Sequence, residues 1–209
     1  MLGMGDDDGT AERIEERIGA GGGPIAMYVG NLEEYQGIDL LLEAFQRVVA
    51  EEPAANLVIV GGDGVRISHY SGLARRLGVG ERVHFLGPRP LSQLGTYLRQ
   101  ADVLVSPRIT GNNTPMKIYS YLDSGRPVVA TRLPTHTQVL DEEIACLVDP
   151  KPTDLAGGIL RLFRDAELRT ELARRARERF QSEYSPKVFR ERIVRFYDQL
   201  ERMLPTRGA

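Results

Sequence analysis

Six short apolar runs, separated by amphipathic stretches, constrain this chain more than anything else in it. The runs lie at residues 25–29, 57–60, 83–86, 103–105, 128–130 and 146–148. Helical patterns fill the gaps at 38–51, 67–77, 91–100 and 115–122. In the first of these, Leu41, Ala44, Phe45, Val48 and Val49 form one apolar stripe at helical spacing. Short apolar strands that alternate with such helices indicate a parallel sheet covered on both faces. The predicted fold class is therefore α/β, a Rossmann-like parallel six-stranded sheet with helices on both faces and a helical carboxyl-terminal extension. Residues 1–23 read as a linker or chain start with a short helix, 24–150 as the Rossmann-like domain and 151–209 as the extension.

Composition removes several classes of function. The 209 residues suit one domain of ordinary size, and a hydrophobic share of 42% supplies a sizeable core. With 27 basic and 29 acidic residues, net charge points neither to nucleic acid nor to an anionic membrane. No segment approaches a transmembrane run, and the start MLGMGDDDGT lacks the features of a signal peptide. Cys146 is the single cysteine, in the apolar run 145–148, and reads as a buried structural thiol. One cysteine fits a reducing cytoplasm, the expected location. No His, Cys or carboxylate cluster has metal-ligand spacing, so no metal and no cofactor is expected.

After Pro150 the pattern becomes wholly helical. Residues 155–180 are rich in arginine, but the interleaved Asp165, Glu167, Glu171 and Glu178 favour a solvated, ion-paired face over a membrane or acidic partner. Ser185-Pro186 starts a last helix, with a capping residue and proline in the right order. Its stripe of Phe189, Ile193, Phe196, Tyr197, Leu200 and Leu204 is apolar enough either to pack on this domain or to cross to another.

The densest motif is SPRITGNNTPMKIYSYLDSGRPVVAT at 106–131. A strand stops at Ser106-Pro107, a polar loop with Gly111, Asn112 and Asn113 follows, and Thr114-Pro115 reads as N-cap and first helical residue. The free N–H groups of Met116 and Lys117 would then face outward beside the Lys117 ammonium, an arrangement suited to an anion. If the strands take the order 3-2-1-4-5-6, ligands bind where the order reverses, between the loops 30–36 and 108–114. Gly30 and Gly37 flank the first loop, and Gly61-Gly62-Asp63-Gly64 follows the second strand. This is not a dinucleotide fingerprint, which needs its glycines after the first strand.

YVGNLEEYQGIDLLLEAF, LVIVGGDG, RVHFLGP, ADVLVSPR and NTPMKIYSYLDSGRPVVAT resemble, in order and spacing, the carboxyl-terminal domain of glycosyltransferase group 1, family 4. The likeness covers about residues 24–200. It implies half of a GT-B enzyme, in which two Rossmann-like domains face each other and this half binds a nucleotide-diphosphate sugar. The amino-terminal acceptor half would be a partner absent from this chain, with the last helix crossing back to it. Any membrane contact would come through that missing half.

Four positions depart from the family's pattern. The family has Arg and Lys on the donor diphosphate where this chain has Asn31 and Gln36. It has two glutamates, for the donor sugar and the ribose, where alignment on Ser124-Gly125 and Pro127-Val128-Val129 places Asn112 and Ser120. Ser120 can pair with one hydroxyl but lacks the strength of a carboxylate. One reading is a variant active site whose positive charge has moved to Arg108, Lys117 and Arg126, with Asn113, Lys117 and Ser120 on one helix face. The other is a site that has lost activity. A snorkelling Lys117, or an Arg108 paired with a loop carboxylate, would be the plainer structural roles.

The resemblance implies that the Gly87 turn reads the base and that His136 lies in a donor loop. His136 serves equally well as a satisfied histidine beside a capping Thr135. The expected function is donor binding in a glycosyltransferase acting on a glycan or lipid-linked acceptor, the isolated domain being inactive. Asn112 and Lys117 are the candidate catalytic residues, and Gly30, Asn31, Gln36, Gly62, Gly87, Arg108, Gly111, Asn113, Thr114, Met116, Ser120 and His136 the candidate donor contacts. The alternatives are a non-catalytic nucleotide-binding or protein-interaction module, and a nucleotide-sugar epimerase of the same architecture.

Overall fold

Strand β1 (Ile25–Val29) lies inside a six-stranded sheet with β2 (Asn56–Val60), β3 (Val83–Gly87), β4 (Val103–Ser106), β5 (Val128–Thr131) and β6 (Cys146–Val148). This computed structural model describes residues 13–18 and 22–203. The strand order is β3-β2-β1-β4-β5-β6 and every pairing is parallel. The expected order thus holds, and it reverses between β1 and β4.

Both faces of the sheet are buried, and residues of opposite parity feed two cores. Ala26, Tyr28, Leu57, Ile59, Val103 and Val105 point into one. That core is covered by α2 (Ile38–Glu51), α3 (Gly64–Arg76) and α7 (Pro152–Arg164). Ile25, Met27, Val58, Val60, Leu104 and Val128 point into the other, under α4 (Leu94–Arg99), α5 (Lys117–Asp123) and the end of α8 (Ala166–Arg179). Helix α1 (Ile14–Ile18) adds Ile14 to this second core. Two-sided burial explains why the strands read as continuous apolar runs rather than as alternations. Each fully buried large side chain such as Phe45 or Leu41 stabilises the fold by about 1.5–3 kcal/mol. Helices α2 and α7, far apart in sequence, pack against each other over this core.

Several expected boundaries shift for local reasons. The second helix starts at Gly64 rather than 67, because the Asp63 carboxylate accepts from Arg66 N–H as an N-cap. The stretch 91–100 begins as a single 3-10 turn at Leu91–Gln93 before α4. The stretch 155–180 is two helices, broken at Asp165, whose side chain accepts from Leu168 N–H and caps α8. Arginines on α8 are ion-paired as expected: Arg174 with Glu171 and Glu178, Arg175 with Glu171, and Arg179 with Asp141. Cys146 departs from expectation. It lies on an edge strand and is only half buried, though burial still raises its thiol pKa.

A π-type turn at Phe180–Tyr184 leads to α9 (Pro186–Met203), whose start is capped by Ser185 accepting from Val188 N–H. No residue of α9 is buried, and Phe189, Phe196 and Tyr197 are more than half exposed. Leu204 of its stripe, with residues 1–12 and 19–21 of the amino-terminal segment, lies outside the described residues. Among the described residues no helix is long and apolar enough to cross a membrane.

Candidate functional site

The crevice at the reversal is held open by one hydroxyl. Strands β1 and β4 pair at Ala26–Val103 and Met27–Leu104 and then part. Beyond that point the buried Tyr121 of α5 stands between them. Its hydroxyl accepts from Val29 N–H at 2.9 Å and donates to Val105 C=O at 3.4 Å. These two backbone groups are satisfied although the strands no longer reach each other. Burial pushes the Tyr121 phenol far above its usual range, so the proton stays on the oxygen.

Two loops flank the opening. The first runs from Gly30 to Gly37, and the second from Pro107 to Met116. They are tied together by Ile109 N–H donating to Tyr35 C=O at 3.1 Å. Gly37 has φ 73°, and a Cβ there would lie 2.1 Å from the Pro107 carbonyl oxygen, so only glycine permits this approach of the two loops.

Lys117 reaches from the first turn of α5 across the crevice to the first loop. Its ammonium donates to Gln36 Oε1 at 3.0 Å and lies 3.9 Å from the centre of the Tyr28 ring. A Cβ on Gly30 would come within 2.9 Å of Lys117 Nζ and 2.8 Å of the Tyr28 hydroxyl. The buried Arg108 stands nearby, its guanidinium 5.0 Å from the Tyr35 ring centre. It donates to Thr110 C=O at 2.8 Å, Asn113 C=O at 2.7 Å and Asn113 Oδ1 at 3.3 Å. Neither cation has a carboxylate within ion-pair distance among the described residues; aromatic faces and neutral oxygens take that place. Desolvation holds the Lys117 pKa well below the ordinary lysine range, and the Arg108 charge lowers it further. A snorkelling Lys117 and a carboxylate-paired Arg108 are therefore not what the chain builds.

The other predicted contacts divide into those at the crevice and those committed elsewhere. Gln36 is buried and engaged by Lys117. Asn31 is exposed, its backbone C=O accepts from the Tyr28 hydroxyl at 2.6 Å, and its side chain approaches Tyr35. Gly111, Asn112 and Asn113 form the exposed tip of the second loop, with Gly111 pressed against the Arg108 guanidinium. Gly62 lies against Leu32, and Gly87 ends β3 with its C=O accepting from Gly61 N–H.

Thr114 does not cap α5. Its hydroxyl donates to Gln138 Oε1 at 3.0 Å, Ile118 N–H turns back to Pro115 C=O, and the regular helix starts at Lys117, two residues later than expected. Met116 is exposed at the N-cap position, and Ser120 is half buried, three residues into the helix. Arg126 lies at the opposite, amino end of β5 and donates to Arg99 C=O, so it does not reach the crevice. A cavity of about 970 Å³ at that end, bordered by Arg126 and Arg177, is likewise remote from the switch point.

His136 is fully buried and both ring nitrogens are engaged. Nδ1 donates to Thr131 C=O at 2.7 Å, and Nε2 pairs with Ser106 Oγ at 2.9 Å. Desolvation pulls its pKa down to about 4, against the raising effect of the Thr131 carbonyl, with Lys117 and Arg108 lowering it further. A neutral imidazole thus ties the ends of β4 and β5 together and has no nitrogen left for a ligand. Thr135 does not cap; Leu133 holds that position and Thr135 Oγ1 is buried without a partner. His84 on β3 pairs with Asn56 Oδ1, a structural role away from the crevice.

Sequence reasoning missed Tyr28, Tyr35, Ser106, Tyr121 and Thr131, whose side chains line or brace the crevice. A signal existed only for Tyr28, an aromatic two residues before a strand-end glycine. Among the described residues no group of three or more His, Cys, Asp or Glu side chains is placed to hold a metal.

A doubly wound parallel sheet with Arg108 and Lys117 beside its switch point defines a domain of Rossmann type. The sequence profile of the Glycosyl transferases group 1 family matches residues 11–179, and the chain belongs to that family. It is 32% identical over 133 residues to a D-inositol 3-phosphate glycosyltransferase of Corynebacterium diphtheriae, covering 60% of this chain and 30% of that protein. The fold superposes on sucrose-phosphate synthase from Thermosynechococcus elongatus with a TM-score of 0.80 at 26% identity, covering 92% of this chain and 49% of that one. It also superposes on Anabaena HepE crystallised with UDP, with a TM-score of 0.80 at 17% identity, over 89% of this chain and 51% of that one. The chain thus spans about half or less of the length of these relatives.

Proposed function

We propose that this domain binds the nucleotide-diphosphate sugar of a cytoplasmic glycosyltransferase that moves the sugar to a glycan or lipid-linked acceptor. The observation that carries this reading is the pair Lys117 and Arg108, two basic side chains held at the switch point with no carboxylate within ion-pair distance among the described residues. A diphosphate would supply the missing charge. Lys117 would then oppose the negative charge that builds on the leaving diphosphate, where a pre-positioned charge is worth most. Arg108 acts mainly through the loop it holds, because its donors are already spent on the Thr110 and Asn113 oxygens. Asn112 at the loop tip would orient the sugar, and the Ser120 hydroxyl one ribose oxygen. The nucleotide-diphosphate sugar would be a substrate.

The relatives' greater length supports a second, acceptor-binding half as partner, and the exposed apolar face of α9 is suited to lie against it. Asn112 and Ser120, in place of two carboxylates, favour a second reading in which the domain binds nucleotide without turnover.

Titration calorimetry with UDP, GDP and ADP tests the proposal, before and after Lys117→Ala. One nucleotide diphosphate is expected to bind, and the substitution should weaken it at least about tenfold, a loss of about 1.4 kcal/mol. Equal affinity for the variant would remove Lys117 from the phosphate site. Sugar transfer restored by joining this domain to an acceptor half would decide against the non-catalytic reading.

A further inference from the structure

The chain contains 24 arginines and only three lysines, Lys117, Lys151 and Lys187. Lys151 is exposed beside Asp149 and Lys187 is exposed on α9, whereas Lys117 alone reaches into the crevice. Arginine keeps its proton in any protein environment, while lysine gives it up readily when desolvated. The one lysine that reaches inward is therefore also the one cation there that can change its charge.

The surroundings of Nζ give an ammonium little compensation. From β1 comes the Tyr28 ring, whose hydroxyl is committed to Asn31 C=O; burial raises that phenol and keeps it neutral. From the first loop come the Gly30 backbone and the neutral amide of Gln36. Tyr35 beyond them faces Arg108. From the second loop comes the guanidinium of Arg108, a like charge. From α6 (Pro134–Thr137) comes the neutral imidazole of His136, and from Lys117's own helix the neutral phenol of Tyr121. The carboxylates of the first loop point elsewhere: Glu33 pairs with Arg66, and Glu34 is exposed. One hydrogen bond and one aromatic face offset only part of the cost of a desolvated charge, which is several kcal/mol. Loss of the proton to solvent removes that cost and keeps the N–H bond to Gln36.

We infer that the sparse compensation around Nζ makes Lys117 hold its proton weakly in the free protein and tightly once a diphosphate group lies beside it, so that binding and protonation at Nζ are coupled. This rests on the donor-site reading given above. A diphosphate beside Nζ restores the counter-charge the chain withholds, and any group that favours the protonated amine binds more tightly to it by the same linkage. The site is thereby selective for highly charged anions, because a neutral ligand gains nothing from the proton.

Three lysines make the test direct. The whole chain, labelled with carbon-13 at the lysine side chains, should give three titrating methylene signals, assigned by Lys117→Arg. In the free protein the Lys117 signal should titrate well below those of Lys151 and Lys187. With saturating UDP or inorganic pyrophosphate it should move back toward them. Calorimetry in two buffers of different ionisation enthalpy should show uptake approaching ~1 proton per ligand between the free and bound pKa values. Lys117→Arg should bind with no proton uptake. A Lys117 signal that titrates with the other two in the free protein, or that stays put while UDP binds, overturns the coupling and leaves the donor site standing. If none of UDP, GDP, ADP and pyrophosphate binds, the donor-site reading fails and the coupling falls with it.

Discussion

Gly37→Ala probes the crevice without touching a charged group, and its cost can be worked from the backbone. Gly37 has φ 73° and ψ 37°, a left-handed conformation that costs an L-residue about 1–2 kcal/mol. The new methyl would meet the Pro107 carbonyl oxygen at 2.1 Å and its carbon at 3.0 Å. Both are backbone atoms, so no side chain can rotate away and the Pro107 peptide must retreat by more than an ångström. That movement breaks the 3.1 Å hydrogen bond from Ile109 N–H to Tyr35 C=O, worth about 1 kcal/mol. The expected loss is about 2–4 kcal/mol, equivalent to a Tm lower by about 4–16 °C in a domain of this size. Urea denaturation at neutral pH measures it, with Gly64→Ala as control. Gly64 sits at the start of α3 with no atom within 4 Å of a new Cβ, so its variant should stay within about 1 kcal/mol of the parent. Because the same loops hold Gln36 and the Arg108 backbone, UDP binding by Gly37→Ala should weaken as well. A Gly37 variant that denatures alongside the Gly64 control would refute the claim that the loops meet through this glycine.

Two further outcomes follow from the crevice. Tyr121→Phe removes the hydroxyl that satisfies Val29 N–H and Val105 C=O and should cost about 1–3 kcal/mol in urea denaturation; a change under about 0.5 kcal/mol would mean the bridge is not made. His136 has a folded pKa of about 4 against 6.5, so between these values the unfolded chain binds the extra proton and stability falls as pH falls from about 6.5 to 4. The full effect is about 3 kcal/mol, and His136→Asn should flatten that part of the stability–pH curve; parallel curves would assign the acid loss to other groups.

The sheet was legible because a parallel strand buried on both faces has to be apolar throughout, and turn residues mark where each one stops. Its order followed from the general arrangement of such sheets rather than from any one residue. Helix starts were read less well where side chains decide them. Asp63 and Asp165 cap their helices, but neither is distinguished by local pattern from the many other acidic residues of loops and exposed faces. Thr114-Pro115 has the composition of a helix start, yet Thr114 is drawn off by Gln138, a partner 24 residues away that no local pattern shows. Lys117 was legible in the crevice because a helix start beside a strand end has few other places to put it. Its isolation from carboxylates was not, since that depends on Glu33 turning to Arg66. The role of Tyr121 was hidden for a related reason: an apolar position on a helix gives no hint that its hydroxyl replaces a ladder hydrogen bond.

The packing of α2 against α7 sets a condition on synthesis. Helix α2 ends at Glu51, but the helix that covers it ends at Arg164. At roughly 5–20 residues per second the apolar stripe of α2 leaves the ribosome about 6–23 s before its cover does. Strand β1 waits in the same way for β4, which cannot pair until residue 103 has emerged. The nascent chain therefore carries an open central strand until β4 emerges and an uncovered helix face until α7 does. Both are surfaces that a ribosome-bound chaperone would hold, and slowing translation between β3 and α7 would lengthen their exposure.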